Sequence, residues 1–456
     1  MHRHHLLLFL YICCFSIIAR GQTRPKVWEA LPFELNSSVR TFYEDPFQDR
    51  VIISGFFWKI DSTPVNNAIS FDGQTYTKLG GNQDINQAMC ITHFEGLYYY
   101  GGFGGLFTWD GDTTWTPIQT DLLVNDMKEI DGELVVGGLW STDSSRPYDG
   151  LAVWDHERGT WESFHGFEHI APSPPRGGSK SIAAIVEYKG EVYVGGNIDN
   201  FSPYNEIARW DGNDWKDVGG GVIGSHIDDM IVYKDELYVS GFFYQAGDEP
   251  VSHIARWNGQ RWDGLGGGIF PSQVSQLFIH DGYLWMVGKF YAAGGIYTGP
   301  IARWDGERWC SPGGDFGDIP VTASIGRFRD TLYVGGGFRS VDGDSSIKYI
   351  AKLLDHTYVD TCSERVIATQ AEVIEIESPT TYCYPNPVQD QLRIHTQNIP
   401  IQSVRLWGLQ GVVHEEFKPK QSQYTLSWDV THLTSGLYIV EIIFPSGKAI
   451  EKVWIQ

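Results

Sequence analysis

The chain has 456 residues, more than one ordinary domain needs, with 52 Gly, 14% aromatic and 20% charged residues. Its net charge of −22 argues against nucleic acid or an anionic membrane as the main partner. The Gly and aromatic excess, without long Ala/Glu/Lys/Leu stretches, argues against helical bundles, while 42% hydrophobic residues supply a core.

The N-terminus reads Met1-His-Arg-His-His, an apolar run from Leu6 to Ala19, then Ala19-Arg20-Gly21. This pattern predicts a signal peptide over residues 1–21. The run is too short for a membrane anchor, which needs about 20 apolar residues, and no other stretch is expected to span a bilayer. Removing Arg3 and Arg20 leaves the rest more acidic. Cys90, Cys310, Cys362 and Cys383 then sit where disulfides persist. No CxxC or Cys/His zinc spacing occurs, so no metal site is expected from them.

From residue 28 a repeat organises the chain. Glu191-Val-Tyr-Val-Gly-Gly precedes Ile207-Ala-Arg-Trp-Asp-Gly-Asn-Asp-Trp215, and close copies end at Trp262 and Trp309. The closing Gly falls at 55, 102, 138, 196, 241, 288 and 336. The Asp or Asn of the second motif falls at 72, 110, 155, 211, 258, 305 and 355. Each copy divides into four short strands, A to D. In the fifth, A is expected over residues 227–233, a two-residue turn at Lys234-Asp235, B over 236–243, C over 253–257, a tight Asn258-Gly259 turn, and D over 261–265. Four antiparallel strands every roughly 40–50 residues predict a seven-bladed β-propeller over residues 22–362. Trp28-Glu-Ala-Leu31 reads as a further strand D that closes the ring. Cys310 and Cys362 follow the outer-strand aromatics Trp309 and Tyr358, which predicts a Cys310–Cys362 disulfide. With Gly-Gly ending strand B and two aromatics flanking a turn, the repeat resembles kelch-type propellers. Such propellers host enzymes and binding modules alike.

The A–B and C–D turns are short, and the B–C and D–A connections are long and variable. Any ligand is therefore expected at the B–C/D–A face. That face carries Trp58, Trp140, Tyr244 and Tyr291, which can stack on sugars or anchor a protein, or simply pack the loops. Strand A contributes polar residues toward the channel mouth: Asn86, Asp126, Asp228, Asp229 and Gln276. They can bind a ligand, hold calcium through oxygen ligands, act as an acid/base pair on a glycoside, or merely hydrate the channel. Asp342-Gly-Asp-Ser345 resembles part of a calcium loop but lacks the remaining ligands, so it reads as a turn and no cofactor is expected.

Residues 363–378 are acidic, carry no repeat landmark and begin a linker expected to reach residue 381. Alternating strands after Tyr384-Pro385-Asn386-Pro387 suggest a small β-sandwich over residues 382–456. Tyr384 to Pro387, Asp390-x-Leu392-x-Ile394, Gly411, the run Asp429 to Val440 with Gly436, and Lys452-Val-Trp-Ile455 resemble the C-terminal sorting domain (type A) of type IX secretion substrates. The resemblance implies an Ig-like sandwich, export through the periplasm, handling by the type IX translocon and its C-terminal signal peptidase, and release or attachment at the outer surface. Residues 379–456 hold six Lys/Arg and six Asp/Glu, so the negative charge belongs to the preceding residues.

No nucleophile elbow, P-loop, Rossmann glycine pattern or HExxH is present, and no catalytic residue is assigned. The reading is therefore all-β: a seven-bladed propeller followed by a small sandwich, expected to be monomeric. It is expected to be a secreted or surface-held, non-enzymatic binding module for a glycan or protein. A carbohydrate-active enzyme using channel-mouth carboxylates is the alternative.

Overall fold

The computed structural model describes residues 26–354 and 381–455, apart from 80–87, 112–113, 121, 140–149, 168–180, 199–203, 271, 318–321, 385–387, 389, 397–399, 409–412, 420–422 and 445–446. The segments read as signal peptide and linker, together with Cys362 and the expected Tyr358 strand, lie outside the described residues. All named elements are strands, and their pairing is antiparallel throughout apart from one isolated parallel bridge, Val388 with Ile455.

Seven four-stranded units follow one another. Their first strands are Val39–Glu44, Ala88–Phe94, Leu123–Ile130, Ser181–Tyr188, Val222–Tyr233, Val274–His280 and Thr322–Phe328. In each unit strand A pairs with B, B with C and C with D. Successive A strands pack against one another, and the last packs against the first, giving a closed propeller-like ring. The seventh unit takes its outer strand from the N-terminus: Trp28 pairs with Leu353 and Glu29 with Lys352.

The repeated residues do identifiable work. Most A–B turns place two residues at positive φ, as at Lys234 (49°) and Asp235 (61°), the geometry of a tight hairpin. The C–D connection is one residue longer than the expected strand bounds leave. In the fifth unit Trp257 pairs with Trp262, so four residues intervene, and only Gly259 takes positive φ. The Asn258 side chain accepts the N–H groups of Gln260 (2.8 Å) and Arg261 (3.0 Å). Asp72, Asp211 and Asp305 cap the same turn, so part of the chain's acidity is turn chemistry. Backbone hydrogen bonds from Thr75 and Gln74 pull the Asp72 carboxyl down to about 2.

The strand-D tryptophans join neighbouring units. Trp215, Trp262 and Trp309 donate their indole N–H to the carbonyls of His165 (3.1 Å), Val218 (2.7 Å) and Leu265 (2.9 Å) in the preceding unit. Trp28 does the same to Gly313 at 2.9 Å, so the N-terminal strand takes the full role of a strand D. Glycine is demanded where strands A and B of one unit approach closely and where neighbouring units touch. A Cβ on Gly196 would lie 2.0 Å from the Ser181 carbonyl oxygen, and one on Gly137 would lie 2.8 Å from the Ile182 side chain.

Strand A of the fifth unit begins at Val222, earlier than the expected residue 227, because its first residues pair with the elaborated B–C hairpin: Val222 with Ala246, Ile223 with Gln245. Further hairpins stand on this face at Lys59–Ile60 with Thr63–Pro64 and at Ala292–Ala293 with Ile296–Tyr297. Three of the long connections are thus hydrogen-bonded hairpins.

Residues 381–455 form a separate unit, with a three-stranded sheet facing a four-stranded one. Leu392, Ile394, Leu426 and Trp428 of the first pack with Val404, Leu406, Val440 and Val453 of the second in one core.

Candidate ligand-binding site

The polar residues of strand A sit at a bulge that recurs in every unit, because two residues of A there oppose one of B. The shifts fall between Val39/Thr41, Ala88/Cys90, Val124/Asp126, Ile182/Ala184, Ile227/Asp229, Val274/Gln276 and Thr322/Ser324. A bulge leaves N–H groups unpaired. Asp126 accepts Met127 N–H and Ile185 N–H, both at 2.8 Å, and Ile185 belongs to the next unit. Asp229 accepts Met230 N–H at 2.8 Å and Leu277 N–H at 2.7 Å, again across a seam. The Gln276 amide oxygen accepts Ile325 N–H at 2.9 Å. Three of the residues expected to face a ligand therefore spend oxygens on backbone amides. In the second unit the bulge places Cys90 at this position; Asn86 lies outside the described residues.

Charge in this ring is concentrated. Burial raises the Asp126 carboxyl, and burial reinforced by the charge of Asp126 pushes Asp229 up to about 7. Lys128 Nζ stands 3.9 Å from Asp126 Oδ1 and is raised by that carboxylate first. Burial, with the field of Asp126, raises the Cys90 thiol.

Asp228 differs from Asp229. It is the extra residue of its bulge, with Oδ1 3.4 Å from His226 Nε2 and a buried Oδ2 that has no partner among the described residues. Its hydrogen bond raises the His226 imidazole, whose ring stacks toward Phe242 with centroids 6.4 Å apart. The equivalent residue of the first unit is Arg40, which sequence reading did not select. Its guanidinium lies over Phe56, 5.3 Å from the ring centroid, and Phe56 neighbours Phe103 at 6.4 Å. Phe56, Phe103 and Phe242 each follow the strand-B glycine that pairs with the residue just before the strand-A bulge, so they occupy one equivalent position in three units.

Outside this collar, Trp58 is 63% exposed and Tyr244 52% exposed, while Tyr291 is half-buried. Phe103 (49%) and Ile296 (40%) also stand exposed on the B–C side and were not selected from the sequence. Trp140 lies outside the described residues. Two cavities, of about 340 and about 390 Å³, lie instead on the trimmed side; one is lined by Phe328, Arg329, Tyr333 and Lys352, the other by Asp49, Arg50, Asp72 and Lys78. Among the described residues no group of three or more His, Cys, Asp or Glu is placed to hold a metal ion.

Cys310 is buried and disulfide-bonded; Cys90 is free. Of the C-terminal motif, the backbone of Tyr384 pairs with Arg393, Gly436 with Ile455 and Lys452 with Ile439. Pro385, Asn386, Pro387 and Gly411 lie outside the described residues. No helix among the described residues is long and apolar enough to cross a membrane.

Residues 382–456 match the family described as "Secretion system C-terminal sorting domain". The chain is 27% identical over 208 residues to Kelch repeat protein M-T8 of Myxoma virus, covering 40% of this chain and 37% of the viral protein. Among solved structures it is similar to PorZ of Porphyromonas gingivalis, described as an essential bacterial surface component of the type IX secretion system. That similarity has a TM-score of 0.43 and 14% identity over 91% of this chain and 59% of that one. It is also similar to YCF48 from Cyanidioschyzon merolae, with a TM-score of 0.41 and 13% identity over 73% of this chain and all of that one. With TM-scores below 0.5, the strand pairing itself remains the basis for the fold. The protein thus carries a propeller-like all-β domain and, over residues 382–456, a type IX secretion C-terminal sorting domain that directs it to the secretion machinery for release or attachment at the outer surface.

Proposed function

We propose that the protein is an exported, non-enzymatic binding module that takes a glycan or a surface protein on the B–C/D–A face of its propeller. The exposure of Trp58 and Tyr244 on connections held by hydrogen-bonded hairpins carries this reading. Isolated aromatics in floppy loops would lose ordering entropy on binding, whereas rings on fixed hairpins are pre-organised. The Phe56, Phe103 and Phe242 collar, with Arg40 and the Asp228–His226 pair between its members, adds apolar stacking surface and a few polar groups of both signs. That mixture suits a sugar ring or a peptide better than a polyanion. In this reading residues 1–21 deliver the chain to the periplasm before the sorting domain acts, and Cys310 pairs with Cys362. The use of Asp126 and Asp229 on backbone amides favours binding over glycoside hydrolysis.

A glycan array probed with the exported protein, followed by product analysis on every bound glycan, tests this. Binding without turnover that is lost in Trp58→Ala/Tyr244→Ala supports the proposal. Product release abolished by Asp228→Asn would instead identify an enzyme.

A further inference from the structure

We propose that Asp229 is a protonation-controlled clamp between the fifth and sixth units, holding two backbone N–H groups when ionised and loosening its hold on one of them when protonated. Its two oxygens each have one assigned amide: Met230 on its own strand and Leu277 on the next. An ionised carboxylate accepts at both oxygens, whereas a protonated one turns one oxygen into a donor. The oxygen that takes the proton becomes the weaker acceptor, so the amide facing it loosens. The neighbouring seam provides a built-in reference, because Gln276 holds Ile325 N–H with a neutral amide that does not titrate in this range.

The surroundings set the titration. Asp126 and Lys128 of the third unit are the charged groups whose fields reach Asp229, and they act in opposite directions. On its own strand Asp228 is engaged with His226. From strand B of its own unit comes Ser240, whose Oγ donates to the Asp229 carbonyl at 3.3 Å. The fourth unit presents Ala184 at the equivalent position, and the sixth presents neutral Gln276 and Leu277. With the carboxyl at about 7, the clamp changes state in the neutral range.

Amide proton shifts of the isotope-labelled full chain, followed from about pH 5 to about pH 9, read the clamp directly, since an amide shift follows its hydrogen bond. Met230 and Leu277 should titrate with a shared midpoint near about 7 while Ile325 stays flat. Asp229→Asn should abolish the titration. In variants that keep Asp229, Asp126→Asn should lower the midpoint and Lys128→Met should raise it. Flat Met230 and Leu277 amides, a titration that survives Asp229→Asn, or midpoints unmoved by both neighbouring substitutions would overturn the proposal.

Discussion

The Asp229 carboxylate accepts the backbone N–H of Leu277 at 2.7 Å, joining inner strands of two consecutive units. This relationship changes what a carboxylate at the mouth of a propeller channel means. Asp126 reaches Ile185 in the same way, so a polar position that reads as a ligand site is also the fastener of the inner ring. Chemistry at the mouth then rests on Asp228, Arg40 and the aromatic collar.

The first prediction concerns stability against pH. The Asp229 carboxyl is raised to about 7 by burial, so the folded chain binds a proton that the unfolded chain releases near about 4. The contribution is fully present below that unfolded value and is lost as pH rises through about 7. Asp229→Asn should therefore gain on the wild type above neutrality, by on the order of 1–3 kcal/mol in urea denaturation. No change in the difference between the two proteins from acid to alkaline pH would contradict the assignment.

Ring closure gives a second prediction. Trp28 is fully buried and donates to the Gly313 carbonyl of the sixth unit, Lys352–Glu29 (2.9 Å) ties the N-terminal strand to strand C of the seventh unit, and Arg327–Glu44 (2.9 Å) joins the seventh unit to the first. Trp28→Ala should cost about 3–5 kcal/mol, whereas Lys352→Met should cost at most about 1 kcal/mol because exposed ion pairs are weak. Equal effects in a denaturant titration would refute the strand's role.

Glycine supplies a third. Gly196→Ala puts a methyl within 2.0 Å of a backbone oxygen and should lower the folded yield sharply. Gly212 has φ +93° but open space, so Gly212→Ala should fold with a loss of roughly 1 kcal/mol. Thermal unfolding of the two variants separates close approach from backbone strain.

The disulfide gives a fourth. Non-reducing peptide mapping of the exported protein should recover Cys310 linked to Cys362, with Cys90 as a free thiol. Recovery of Cys310 bound to another cysteine would reassign the pair.

Much of the architecture was legible because each landmark reports a local requirement. The Gly ending strand B and the Asp or Asn of the C–D turn recur since every unit meets the same close approach and the same unsatisfied turn amides. The N-terminal strand was legible because Trp28 stands in the context of a strand-D tryptophan. The site was less so. Polarity at Asp229 shows in the sequence, but its partner Leu277 is in the next unit, and pairing across a seam leaves no local signal. Arg40 escaped because the first unit's strand A lacks a pair of short polar residues, although the bulge puts it where Asp228 stands. The C–D turn was legible at Asn258-Gly259, while the pairing of Trp262 in place of Arg261 was not, because the Asn258 side chain holds the Gln260 and Arg261 amides in a four-residue loop.

The most direct test of the account is a binding titration of the exported protein on its array-selected glycan or surface-protein ligand, repeated with Trp58→Ala/Tyr244→Ala and with Asp229→Asn. The account predicts that the aromatic double variant keeps its unfolding midpoint within about 0.5 kcal/mol and loses at least about tenfold in affinity. Asp229→Asn should bind as the wild type does. Binding unaffected by the aromatic substitutions but abolished by Asp229→Asn would contradict it.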